Sequence, residues 1–107
     1  MASGDYPIHE NPNPASRTLV PYFLVVQASL LDDLATRVVV PLYCQSGVPG
    51  SAIARLHLPL DLAGEALLAA FQHLAAVPRQ SLGRQVGQLA GRHAGVTACL
   101  DFLFQGY

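Results

Sequence analysis

The 107-residue sequence predicts a mainly β domain closed by a C-terminal helix. Three observations predict it. Leu19 to Gln27 and Arg37 to Tyr43 are β-branched, apolar runs separated by the turn formers Asp32-Asp33, which reads as a hairpin of two buried strands. Ala54 to Leu60 alternates strictly, with Leu56, Leu58 and Leu60 on a core face and Arg55 and His57 on a wet one. From Arg84 to Phe104, Val86, Leu89, His93, Val96, Leu100 and Leu103 recur at spacings of three and four, the period of a terminal helix.

The remaining elements follow in chain order. The first eighteen residues are rich in Pro, Asn and Ser, and Tyr6 to His9 is the one short strand they allow before Asn11-Pro12-Asn13-Pro14 imposes a loop, read as mobile. Gln45 to Gly50 is a second loop. Glu65 to Val77 reads locally as a helix, because Leu67, Leu68, Phe71, Leu74 and Ala75 share one helical face and Ala is the best helix former. Gly83, Gly87, Gly91 and Gly95 form a ladder of period four inside the expected terminal helix, where each interior Gly costs about 1 kcal/mol relative to Ala. The ladder reads as small residues tolerated by packing or as a groove for a second backbone.

Composition restricts the function classes. A chain of this length makes one domain that buries about two-thirds of its unfolded surface. Apolar residues are 51% and charged residues 12%, against about 25% charged in an average globular domain, so a partner is expected to cover part of the surface. All six basic residues are Arg, spread one per element, and the net charge is −1, so a direct grip on nucleic acid is not expected. The amino terminus lacks a basic region followed by an apolar run, and Leu19 to Val26 is too short to cross a bilayer, which implies a cytoplasmic protein. Cys44 and Cys99, without a C-x-x-C spacing, read as small apolar groups rather than a bridge. His9, His57, His73 and His93 fall in four elements without paired spacing, so no metal is expected, and no cofactor. Asp61 and Glu65 read as solvated turn acids, and Gly47 to Gly50 precedes a strand, not the helix a phosphate loop needs. No catalytic constellation remains, and the chain reads as a binding protein rather than an enzyme.

Tyr22 to Leu42 carries a stricter signal. Val26-Gln27, Leu30-Leu31-Asp32, Arg37, Val38-Val39-Val40 and Pro41-Leu42 resemble, in order and spacing, the hallmark hairpin of the CcdB family. Ala75-Ala76-Val77-Pro78, Leu82-Gly83, Val86, Leu89 and Phe104-Gln105-Gly106-Tyr107 extend that resemblance over residues 5 to 107. It implies one CcdB-like domain over 1–107 with 1–4 disordered, folded as an SH3-like small barrel of about five antiparallel strands and a C-terminal helix. It also implies that Glu65 to Val77 is extended, since tertiary context overrides propensities of a few tenths of a kcal/mol per residue. The functional implication is a homodimeric toxin of a type II toxin-antitoxin system that binds the DNA gyrase A subunit and traps its cleaved DNA complex. A CcdA-like antitoxin neutralises such toxins through a disordered tail, and the pair represses its own operon with the antitoxin contacting the DNA.

Gyrase-binding positions carry over to Tyr6, Ala28, Leu30, Asp101, Gln105, Gly106 and Tyr107, with departures. Gln105 stands where the family's terminal W-G-I has tryptophan, Asp101 where asparagine is usual, Ala28 where a serine is usual and Val25 where Asp is common. Losing a buried indole removes an anchor worth about 2 kcal/mol or more, for which Tyr107 is a candidate substitute. Two alternatives stay open: a degenerate relative that binds antitoxin without holding gyrase, and a MazF-like endoribonuclease, whose catalytic Arg and Thr or Ser motifs this chain does not show.

Overall fold

The computed structural model describes residues 5–27, 31–45 and 54–106. Seven strands and one helix form in order: β1 (Tyr6–Glu10), β2 (Tyr22–Val25), β3 (Thr36–Cys44), β4 (His57–Leu62), β5 (Glu65–Ala70), β6 (Ala75–Pro78), β7 (Gln85–Leu89) and α1 (His93–Gln105). The strands pair antiparallel in the order β4-β5-β3-β2-β1-β7, with β6 also on β3, and curl into a half-barrel.

The sheet is organised around β3. Its run from Val39 to Tyr43 is buried throughout, as expected of a central strand covered on both faces. Val40 and Leu42 join Ile8, Leu24, Leu67 and Phe71 in the main core, which Val96 and Cys99 of α1 close. Tyr43 points the other way, into a smaller cluster with Val20 and Ala70. One flank of β3 pairs β2 from Tyr22↔Leu42 to Val25↔Val39. The other flank is shared, with β6 opposite Thr36 to Val39 and β5 opposite Leu42 to Cys44. Between them a 3-10 turn at Phe71–His73 interrupts the returning chain and drives the Phe71 ring, 0% exposed, into the core. Pro41, which has no N–H to give a ladder, lies in the gap this turn leaves beside β3.

Glu65 to Val77 is therefore extended on both sides of that turn, against its local propensity and with the family resemblance. Seven strands replace about five because this returning segment splits into β5 and β6 and because Gln85–Leu89 is also a strand. That second point corrects the helix expected from Arg84: β7 pairs β1 through Tyr6↔Leu89 and Pro7↔Gln88, and α1 begins only at His93. The glycine ladder dissolves with it. Gly83 lies so close to β1 that a Cβ would meet Glu10 O at 2.9 Å, Gly87 faces Leu62, Gly91 turns the chain at φ 71°, and Gly95 alone packs inside the helix, against Leu58.

Smaller corrections have local causes. The first hairpin strand is shorter than Leu19 to Gln27, because residues 14–19 form turns and Pro21 precedes β2. The Asn11–Pro14 loop is tied down. The buried Asn11 amide donates to Val20 O at 2.8 Å and to Ser16 Oγ at 3.0 Å, while its carbonyl accepts from Asn13 N–H. The segment from Ala54 starts as a 3-10 turn and becomes β4 only at His57. His57 is buried rather than wet, because the Phe71–His73 turn covers it and sets Gln72 Nε2 2.9 Å from its Nε2. Asp61 is an exposed position of β4, and the turn after that strand is made by Ala63 at φ 51° and Gly64 at φ 85°. The expected loop at Gln45 to Gly50 lies beyond Gln45 outside the described residues, as do residues 1–4.

Candidate functional site: the hairpin tip and the helix end

Hallmark residues of the hairpin act on its turn. The Gln27 side chain accepts the Val38 N–H at 3.1 Å and donates to Leu31 O at 3.1 Å, joining both strands to the tip. Arg37 closes the other side: its guanidinium donates to Leu34 O, Thr36 O and Asp32 O at 2.8, 3.0 and 2.6 Å and lies 4.0 Å from the Asp32 carboxylate. Carbonyls that a turn leaves without N–H partners thus receive charge-assisted donors. The spacing of Gln27, Asp32 and Arg37 is that of a clamp holding the tip. Ala28 and Leu30, expected to meet gyrase, lie outside the described residues. Their neighbours Leu31 and Leu34 present apolar surface to solvent, 42% and 50% exposed.

The helix end is the second surface. Val96 and Cys99 bury one face of α1, and Arg55 lies 4.1 Å over the Phe102 ring, fixing the helix against the turn before β4. Asp101 and Gln105, one turn apart, are both exposed, and Phe104 beside them is 70% exposed. Gly106 ends the helix in the left-handed region at φ 79°, with its N–H donated to Phe102 O at 2.9 Å. A side chain there is strained, which gives the glycine of the terminal motif a structural reason. Tyr107 lies outside the described residues.

Tyr6 is at the other end of this helix. Its hydroxyl is 2.6 Å from His93 Nδ1, with the two rings parallel within 7°, and burial pushes its phenol up from the ordinary value. With the hydroxyl donating, His93 Nε2 keeps the proton and faces Thr97 Oγ1 at 3.4 Å. A thirteen-residue helix rises about 20 Å, so the fold gathers Asp101, Gln105 and Gly106 and leaves Tyr6 apart from them. Sequence reasoning placed Phe104 inside the terminal motif but did not count it among the gyrase-binding positions.

An antiparallel half-barrel with a single C-terminal helix, bearing an exposed apolar hairpin tip and an exposed aromatic at the helix end, defines a small β-barrel protein. The family model of the CcdB protein matches residues 5–106, and the chain belongs to the CcdB family. That membership makes it a toxin of the toxin-antitoxin kind. Among solved structures, a crystal structure of an Mtb toxin is similar at TM-score 0.65 and 19% identity, covering 94% of this chain and 99% of its own. The Mycobacterium tuberculosis toxin MazF-mt6 is similar at TM-score 0.62 and 17% identity, covering 91% of each chain. At such identities the likeness shows the fold alone. No curated protein matches the sequence significantly. Among the described residues, no helix is long and apolar enough to cross a membrane.

Proposed function

We propose that the protein is a homodimeric gyrase poison: it binds the gyrase A subunit through the helix end and the hairpin tip, traps the cleaved DNA complex, and is neutralised by a CcdA-like antitoxin. It acts by binding and turns over no substrate. The observation that carries this reading is the exposure of Phe104 beside Asp101 and Gln105 at the end of α1. A large aromatic exposed at 70% has apolar area to lose to a partner, and aromatic anchors dominate interface energetics. Phe104 thus supplies what Gln105 cannot, one residue earlier on the helix, with Leu31 and Leu34 as the second apolar contact.

The test is a gyrase cleavage assay with purified protein whose mass by sedimentation is that of two chains. Linear DNA is expected to accumulate with the wild type and to require about 30-fold more protein, or more, with Phe104→Ala, the loss of an anchor worth about 2 kcal/mol. Gln105→Trp is expected to raise potency. Sedimentation as a single chain, or linear DNA formed equally by wild type and Phe104→Ala, counts against the reading. The indole-less terminus motivates a second reading, a relative that binds antitoxin but spares gyrase. Tight antitoxin binding without any cleaved complex would select it.

A further inference from the structure

Arginines that the sequence scatters are partly gathered by the fold. Arg37 of β3, Arg79 of the 3-10 turn after β6 and His9 of β1 line one cavity of about 390 Å³, within the about 300–1,000 Å³ typical of small-molecule sites. Asp32 is the one carboxylate in the lining, and it lies beside Arg37. The lining therefore carries one positive charge in excess.

The three basic groups are not equivalent. Arg37 is occupied by the carbonyls of the hairpin turn. Arg79 is held by its backbone, whose N–H donates to Ala35 O at 2.9 Å, yet its guanidinium takes no part in the ion pairs among the described residues, which join Arg37 to Asp32 and Arg84 to Glu10. Among the described residues its planar fork of donors takes no hydrogen bond, which leaves it open to an anion. His9 Nδ1 lies 2.9 Å from Gly83 O, which can only accept, so Nδ1 carries the proton and Nε2 is left as an acceptor. Pro7, Val25 and Leu82 add an apolar wall.

A free fork of cationic donors, one imidazole acceptor and an apolar wall match a phosphate, a sugar hydroxyl and a base in turn. We propose that this cavity binds a phosphate ester of mononucleotide size, with the phosphate on Arg79, a ribose hydroxyl donating to His9 Nε2 and the base against Pro7, Val25 and Leu82. No residue of α1 lines the cavity, although it shares Asp32 and Arg37 with the base of the hairpin tip, and nucleotide binding is read without gyrase present.

The same phosphate chemistry is offered by a free nucleotide and by a nucleic-acid strand, and a titration followed by backbone amide shifts separates the sources. Adenosine 5′-monophosphate is expected to give saturable shifts at Gly83 and Gln85, with inorganic phosphate weaker. A four-nucleotide oligoadenylate that binds tighter, and more weakly as salt rises, assigns the site to a strand; one that binds no tighter assigns it to the free nucleotide. Arg79→Gln is expected to lower affinity about tenfold or more, the loss of a charge-assisted hydrogen bond, while Arg84→Gln, at an exposed arginine paired with Glu10, leaves it unchanged. Absence of saturable shifts at millimolar nucleotide, or equal affinity in wild type and Arg79→Gln with the fold intact by its amide spectrum, overturns the proposal.

Discussion

At Gly83 the space that a side chain would need is taken by backbone. A Cβ there would meet Glu10 O at 2.9 Å and Glu10 Cβ at 3.1 Å, and the Gly83 N–H donates to that same oxygen at 2.8 Å, so β1 cannot retreat without losing the bond. Gly87 has a similar distance to a softer neighbour, the Leu62 Cδ1 tip. Gly83→Ala is accordingly expected to destabilise by about 1–3 kcal/mol and Gly87→Ala by less than about 1 kcal/mol, compared in urea titrations at constant slope. The contrast explains why glycines spaced by four misled the helical reading. On β7 the residue facing Leu62 has no side chain, so the alternation that marks a strand has a hole in it, while Val86 and Leu89 happen to stand three apart.

Among the elements, the hairpin was legible because its strands are β-branched and its clamp residues occur at fixed spacing. What those residues do was not legible, since a hydrogen bond from Val38 N–H to Gln27 Oε1 joins positions eleven apart. Gln27→Ala removes that acceptor and the donor to Leu31 O together. It is expected to cost about 1–3 kcal/mol and to speed hydrogen exchange at the Val38 amide well beyond that of Leu42, deeper in β3. Uniform exchange across β3 would show that the clamp is not local. The extended state of Glu65 to Ala70 was legible only through the family resemblance. Its alanines favour a helix, and what holds them extended is β4 on one side and β3 on the other, partners the local sequence does not name. His57 was placed on the wet face for the same reason, since the Gln72 that covers it comes from a turn fifteen residues on.

For the whole molecule, one buried thiol and three half-buried acids are expected to set the alkaline limit. Burial pushes the Cys99 thiol above its ordinary value of 9.0. Cys44 is also raised, first by burial and then by the Glu65 carboxylate that its Sγ faces at 3.5 Å, and Tyr22 is raised by burial and by the same carboxylate. Each group holds its proton more firmly folded than unfolded. Their contribution is whole below the ordinary pKa and is lost as pH rises through the folded one, so stability should fall from about pH 9 upward. Denaturation midpoints taken from pH 7 to pH 10.5 check this, and Cys99→Ala should flatten the first part of the decline. An undiminished decline in Cys99→Ala would move the cause to Cys44 and to the tyrosines, Tyr6 and Tyr22.

The shared flank of β3 couples regions that look separate. The strand that ends at Cys44 beside β5 is the same strand whose second residue, Arg37, holds the hairpin tip, and the Phe71 plug is wedged between the two partners on its flank. A slip of β3 by one residue would evict Val40 and Leu42 from the interior and drag the tip's anchoring guanidinium out of reach of its carbonyls in the same movement. Hairpin tip and hydrophobic interior are geared to one axle, so substitutions that loosen the plug should be selected against even in variants whose exposed residues are untouched.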